Sequence, residues 1–452
     1  METYSVENSV HQMSQLPASA TYVIVGAGVH GLSTAWHLAM ELGSGEDIVL
    51  IDKTAPGAGA TSIACGCVRN FYMTEPVHAL VRESVDVWNY DPVLLGFQQV
   101  GYISCGEENQ ISEYEKIHKS QNSVGYTSDM YVGQDARDFL SGIWPDFKHH
   151  SIDVAIHERL SGYAGTVQAV SGLAQMCERN GVKIFSGVEV TGYDVQGGEV
   201  KAVETSAGTV NADVVILCMG AWIPAHWEMF GKPMHLDVGY QDGSSVEGKD
   251  MWTYWRLEEG EVYFDGPYYT TNNLNPPVLH IELMNTPVVD PQTGEELDDN
   301  VYVYWKNGTE RMERPGIQGG GLPKMIGPDA SVEPYGWAND QYQADDKFAD
   351  YFTAAMGMFM TRFEGIRPDF KDRRNGGIGA FTPDNIPIMD WILPNVYMVA
   401  DSNHGFKMTG IGKLVAKELT GSASVPELQP FRFDRFARGA AFGSGTTHSP
   451  WV

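Results

Sequence analysis

Short apolar runs open and close the chain, each followed by helical periodicity, while its middle shows strand-like alternation. Near the start, "YVIVGAGVHGLSTAWHLAMELG" begins with an apolar, β-branched run at 22–25. Such a run suits a buried parallel strand. Leu32, Ala35, Leu38 and Ala39 then recur at helical spacing, and a second strand, "DIVLIDK", ends in Asp52. Further on, "VKIFSGVEVTGYD" predicts a strand, and 197–227 predicts a hairpin, a turn and an apolar strand at 214–217. "NVYMVADS" predicts a last strand, running into "NHGFKMTGIGKLVAKELTG", a glycine-rich turn that becomes a helix. In the middle, "EGEVYFDGPYY", "PPVLHIELM" and "NVYVYWKN" alternate with period two between Pro and Gly punctuation. They predict a mostly antiparallel sheet.

The first strand-to-helix turn carries Gly26-x-Gly28-x-x-Gly31, and Asp52 follows Gly31 by 21 residues. A lone glycine motif is weak; set between a strand and a helix, with an acidic end on the next strand, it predicts a dinucleotide site. Gly26 permits the tight turn, Gly28 lets backbone approach a pyrophosphate, and Gly31 lets helix and strand pack closely. The helix N-terminus favours the phosphate charge, and Asp52 would accept from the adenosine ribose. The next segment, "APGAGATSIACGCVRNFY" at 55–72, is small, polar and rich in glycine. An NAD domain would continue with ordinary βα units. This loop instead suits backbone contact with a larger cofactor, so FAD is expected. Lys53, Ala60, Thr61 and Gly66 join the candidate cofactor contacts.

Composition narrows the function. With 30 basic and 58 acidic residues the net charge is −28, which disfavours nucleic acid and anionic membranes as partners. No apolar run reaches the ~18 residues of a membrane span. The first twenty residues lack Lys, Arg and an apolar core, and so do not read as a targeting signal. Five cysteines, an odd number in a long chain, argue for a reducing cytoplasm. Cys65-x-Cys67 has no second pair or matching histidines, so no metal site is expected.

Three segments together, "YVIVGAGVHGLSTAWHLA", "IDK…GAGATSIACGCVRNFY" and the C-terminal "ADSNHGFKMTGIGKLVAKELTG", resemble the D-amino-acid oxidase superfamily of flavoproteins, and within it the glycine oxidase and monomeric sarcosine oxidase group. The resemblance implies an α/β fold with a discontinuous Rossmann-like FAD-binding domain (20–85, 155–230 and 365–425). A second α+β substrate domain, built on a mostly antiparallel sheet, would take 86–154 and 231–364. Residues 1–19 and 426–452 would be flexible or peripheral tails. The resemblance also implies that Gly220 and Trp222 contact the flavin, and that Gly405, Lys407 and Met408 lie against its ring. Val190 is either an adenine contact or a core valine.

Amine oxidation on a flavin requires charge clamps rather than a nucleophile. The resemblance implies that Arg69 and Lys407 bind a substrate carboxylate, that His404 positions groups beside the ring or packs in the core, and that Lys324 promotes reaction with oxygen. "GIQGGGLPKMIG" has one residue more before Lys324 than the family pattern, and no histidine follows. Tyr304 is a candidate substrate contact, with Tyr302 equally placed. The cysteine that bonds the flavin in the sarcosine oxidase branch is absent from "NGGIGAFTPD", so FAD is expected to be non-covalent. The function expected is oxidation of a small amino acid or N-alkyl amino acid to an imine, with oxygen as acceptor. A dehydrogenase serving a quinone or protein acceptor is the alternative, and a flavin-binding protein without turnover the reading from another class. The stretch 285–299 reads as an exposed acidic insertion: a lid, an oligomer contact or decoration.

Overall fold

The computed structural model describes residues 15–264, 275–309, 312, 314–330, 332, 344–371, 377–402 and 404–444. Two eight-stranded sheets organise them. At the centre of the first, Ser19–Val25 pairs in parallel with Ile48–Asp52 and with Gly208–Leu217. Lys183–Ser186 extends one side and Val396–Ala400 joins Gly208–Leu217, both in parallel. Val25 lies beside Ile51 and Leu217, and Leu217 beside Met398. Four strands therefore finish along one edge, where a doubly wound sheet leaves its ligand crevice.

Alternation assigns the two faces of this sheet. Ile24, Leu50 and Ile216 pack under the helices Val29–Leu42, Thr166–Arg179 and Ile411–Thr420. Val23, Val25, Val49, Ile51, Val215 and Leu217 face a second core that includes Trp227 and Trp252. The antiparallel hairpin of Val190–Gln196, Glu199–Thr205 and Gly208–Leu217 completes that side.

The second sheet runs in the order Phe370–Lys371, Glu259–Tyr263, Gly316–Gly321, Val301–Asn307, Val278–Leu283, Tyr102–Gly106, Val154–Glu158, Ser128–Val132. Each pairing is antiparallel except Val278–Leu283 with Tyr102–Gly106. Its apolar face, including Leu279, Ile281, Val301, Val303 and Trp305, packs on the helix Asp346–Phe359. The intervening positions, Glu259, His280, Glu282, Tyr302 and Lys306, are polar or phenolic and still buried. A sheet with one apolar face ordinarily turns the other to water; here the other face is turned inward.

The structure adds detail at the edges. Residues 426–444, expected as part of a flexible or peripheral tail, are packed: Leu428, Phe431, Phe436 and Phe442 are buried. Arg435 forms a two-pronged ion pair with Asp384, both contacts at 2.8 Å, with almost no exposure of either side chain. The 285–299 stretch forms a small hairpin, Val288–Val289 with Glu296–Asp298, anchored by Asn285 and Thr286 donating to Glu107. Residues 1–14 and 445–452 lie outside the described residues. No helix among the described residues is long and apolar enough to cross a membrane.

Removing one partner of a buried ion pair leaves the other charge uncompensated. Arg435→Met should therefore cost about 3–5 kcal/mol in urea unfolding, and the double change with Asp384→Leu should cost less than Arg435→Met alone. A loss under ~1 kcal/mol for Arg435→Met would mean that this segment is not integral to the fold.

Candidate active site

The glycine motif occupies the strand edge because nothing larger fits there. Gly26 has φ +99°, and a Cβ on it would stand 2.4 Å from the Cys218 carbonyl oxygen. A Cβ at Gly31 would stand 1.8 Å from the Gly26 carbonyl oxygen, so helix and turn meet backbone to backbone. Asp52 braces this turn: its carboxylate accepts from the amides of Ala27 at 2.9 Å and Thr54 at 2.8 Å. Burial raises the Asp52 pKa, and these amides work against that rise.

A cavity of about 390 Å³ opens at this edge. Its walls include Gly26, Gly28, Asp52 and Lys53 from the first two turns. Ala60, Thr61, Gly66 and Arg69 of the 55–72 loop continue it, with Val190, Gly220 and Trp222 from the hairpin side. Lys53 lies over the Trp222 ring, 4.3 Å from its centroid. The second sheet contributes Tyr302, Tyr304, Glu258 and Glu259, and the C-terminal turn contributes Asp401, Gly405 and Lys407.

Arg69 is held from several sides. Its guanidinium stacks on Tyr72 at 4.6 Å and lies 5.9 Å from the Tyr102 ring, and it donates to the Phe71 carbonyl. The following residue, Asn70, donates its amide to the buried Glu158 at 2.8 Å, and Gln121 and Ser161 complete that carboxylate's shell. Lys407 enters the same cavity from the other end of the chain. Burial, with the Arg69 charge as the next cause, lowers its pKa to about 8.

Asp401 joins the C-terminal turn to the first helix. Its carboxylate accepts from His30 Nε2 at 2.9 Å and from the Gly405 amide at 3.0 Å. Burial opposes this charge, but His30, His404 and the Gly405 amide hold the carboxyl below the usual carboxylate range. His404 Nδ1 donates to the Asp401 carbonyl at 2.6 Å and its ring lies 5.2 Å from Tyr72. Burial and the nearby Lys407 lower the His404 pKa to about 3, so the ring is neutral at physiological pH.

Four expected residues stand apart from the described cavity wall. Gly31 does its packing behind the turn. Met408 is fully buried in the helix core, and His404 sits behind Asp401. Lys324 is half exposed on the Lys324–Gly327 strand and pairs with Glu258 at 2.9 Å; its neighbour Pro323 is the residue that reaches the cavity. Sequence reasoning missed Asp401, His30, Glu258 and Glu259. Period-two alternation in "EGEVY" was the available signal for Glu259, since it puts Glu259 and Glu261 on one face. Cys65 and Cys67 also line the cavity, and burial pushes the Cys67 thiol up to about 11. Among the described residues no group of three or more His, Cys, Asp or Glu could hold a metal.

The profile of the FAD dependent oxidoreductase (DAO) family matches residues 21–418. The chain belongs to this FAD-dependent family. Among curated proteins it is similar to sarcosine oxidase subunit beta of Rhodobacter capsulatus, 23% identical over 42% of this chain and 47% of that protein. It is also similar to monomeric sarcosine oxidase of a Bacillus species, 23% identical over 50% of this chain and 56% of that protein. The pyruvate dehydrogenase phosphatase regulatory subunit of Mus musculus is 25% identical over 46% of this chain and 24% of its own length. The chain thus spans between about a quarter and just over half the length of these relatives. Among solved structures, L-proline dehydrogenase from P. horikoshii superposes with a TM-score of 0.71 at 20% identity, covering 94% of this chain and 99% of that one. Glycine oxidase from Bacillus cereus gives 0.62 at 17% identity, covering 91% and 97%. These two likenesses establish the fold.

The residues present fit FAD. The Gly26–Gly31 turn offers a backbone cradle that a Cβ would fill, backed by a helix N-terminus suited to a pyrophosphate. Asp52, at the end of the second strand, stands where the fingerprint requires a ribose acceptor. Cavity volume continues from there past the 55–72 loop to Lys407, giving an elongated cofactor both a phosphate end and a ring end.

The sign of the Lys407 effect is direct. Its ammonium is charged below about 8; a small carboxylate that bound against it should be held most tightly below that pH and more weakly as pH rises through it. Acetate binding to the FAD-loaded protein, followed by calorimetry from pH 6 to 10, should show this decline. In Lys407→Met the decline should disappear and binding at pH 7 should weaken about tenfold. A flat profile in the unaltered protein would rule out a carboxylate contact by Lys407.

Proposed function

We propose that the protein oxidises the C–N bond of a small amino acid or N-alkyl amino acid to an imine, which water then hydrolyses. The observation that carries this reading is the convergence of Arg69 and Lys407, from opposite ends of the chain, on the cavity behind the glycine turn. FAD, when bound, supplies the two-electron acceptor. The protein's own part is to bind and orient. Arg69 offers a planar fork to a carboxylate and Lys407 a point charge. Tyr72 and Tyr102 keep the guanidinium in place, so little freedom is lost when a substrate arrives. The closely packed tyrosines, with Phe406 of the last turn, limit water at the reacting bond. FAD would be held without a covalent bond: the cysteine of the sarcosine oxidase branch is absent from "NGGIGAFTPD", and burial, which pushes the Cys67 thiol up to about 11, disfavours its thiolate. Five buried free cysteines support a reducing, cytoplasmic setting.

Oxygen as final acceptor would give hydrogen peroxide. One observation favours the dehydrogenase alternative: Lys324, expected to assist oxygen, is half exposed and engaged by Glu258.

Arg69→Ala should raise the substrate KM about ten- to a hundredfold with a smaller change in kcat; an unchanged KM would overturn the clamp. Lys324→Met should leave flavin reoxidation by oxygen unchanged in stopped flow, and selective slowing would return Lys324 to an oxygen-reactive role. Anaerobic titration with a panel of N-methyl and primary amino acids should bleach the flavin band near ~450 nm. Failure of every compound to bleach it would favour a flavin-binding protein without turnover.

A further inference from the structure

The clamp arginine sits in a segment, 69–72, that belongs to no regular element; only the two-residue strand Cys67–Val68 precedes it. Side chains from elsewhere in the chain hold its backbone instead. The Asn70 amide donates to Glu158 at 2.8 Å, and the Asn70 carbonyl accepts from Gln121 at 2.9 Å. Gln121 Nε2 also donates to Glu158, at 2.6 Å, so one pair of side chains holds both polar backbone groups of Asn70. Two residues on, the Tyr72 carbonyl accepts from His78 at 2.9 Å, and Ser120 lies 2.6 Å from the other nitrogen of that ring.

Glu158 is the centre of this bracket, and it is fully buried. One of its oxygens accepts from Gln121 and the other from Asn70 and, at 2.6 Å, from Ser161, whose hydroxyl in turn accepts from Tyr126 at 2.6 Å. Burial raises its pKa, and these donors, with the Arg69 charge, work against the rise. Register ties Glu158 to the clamp a second time. It stands directly opposite Tyr102 in the antiparallel pairing of Tyr102–Gly106 with Val154–Glu158, and directly opposed side chains share one face of a sheet. The Tyr102 ring lies 5.9 Å from the Arg69 guanidinium, while Glu158 holds the amide of the next residue. One cross-strand pair therefore meets the clamp at both its tip and its root.

Resting on the amino-acid reading above, we infer that Glu158 is a positioning residue for the substrate carboxylate: it aims Arg69 by fixing the Asn70 amide. Glu158 is not among the residues that line the cavity, so it acts through Arg69 and not on the substrate. Its charge also supports that of the buried guanidinium. A planar fork binds a carboxylate well only when both of its N–H groups meet the two oxygens, and small misplacements of a positioning group are costly. Substrate affinity is thereby coupled to the second sheet, through a residue 88 positions from the amide it holds.

Calorimetry with acetate on the FAD-loaded protein tests this. Glu158→Gln keeps an oxygen for the Asn70 amide and gives up the charge; it should weaken acetate binding about threefold. Glu158→Leu gives up both and should weaken it at least about tenfold. FAD affinity, followed by flavin fluorescence, should stay within about twofold in each. In turnover the substrate KM should rise while kcat stays within about threefold. On an Arg69→Ala background either change should alter acetate affinity by less than about twofold, because the group it positions is gone; a merely structural loss would appear in both backgrounds. Acetate binding that is unchanged in both Glu158 variants overturns the inference, and so does an equal loss with and without Arg69. If Glu158→Leu does not load FAD, Glu158→Gln carries the test together with Gln121→Leu, which releases the Asn70 carbonyl and should cost about threefold. If Arg69→Ala itself binds acetate as well as the unaltered protein does, the carboxylate clamp is wrong instead.

Discussion

The carboxylate of Asp401 is where the two ends of the chain are joined. It takes a hydrogen bond from His30, at the start of the first helix, and another from the Gly405 amide, in the last turn. It helps set the turn at 404–408 against the glycine motif. Other contacts reinforce the same join: Ser33 donates to the Thr409 carbonyl at 2.6 Å, and Trp88 donates to the Phe406 carbonyl at 3.2 Å. A buried ionised group is tolerated when several donors share its charge, and Asp401 meets that condition.

The second constraint is the inward polar face of the large antiparallel sheet. Burying Glu259, Glu261, His280, Glu282, Tyr302 and Lys306 is unfavourable unless polar partners compensate. Much of that compensation runs across the strands, as in Glu261, Gln318 and Lys306, or Glu259 and Tyr304. His280 lacks such a partner, with neither ring nitrogen hydrogen-bonded and burial driving its pKa well below the ordinary value. It stays neutral among Phe71, Tyr102, Tyr302 and Tyr304, whose rings lie 4.9 to 6.5 Å away. A face built this way specifies charge positions more tightly than an apolar one, because each misplaced group leaves another unpaired.

Local signals carried far in the first sheet and poorly in the second. The strand before the glycine motif, the helix after it and the acidic end of the second strand are short-range features, each dictated by backbone sterics or periodicity over a few residues. They were legible, as were the last strand and the turn at 405–408. The position of Lys324, apart from the cavity wall, was not legible, because a loop resemblance conveys residue order but not which way a side chain leaves its strand. The packing of residues 426–444 was not legible because Asp384 and Arg435 are 51 residues apart, and no local pattern announces that they will meet.

What the sequence determined by itself was the cofactor class and the parallel strand edge with its glycine turn, because glycine sterics and periodicity are properties of short segments. What only the tertiary structure decided was which groups meet: Arg69 with Lys407, His30 with Asp401, Tyr304 with Glu259 across a glycine. Those meetings depend on strand register and on the direction of side chains across long sequence separations, where a shift of one residue sends every side chain to the opposite face.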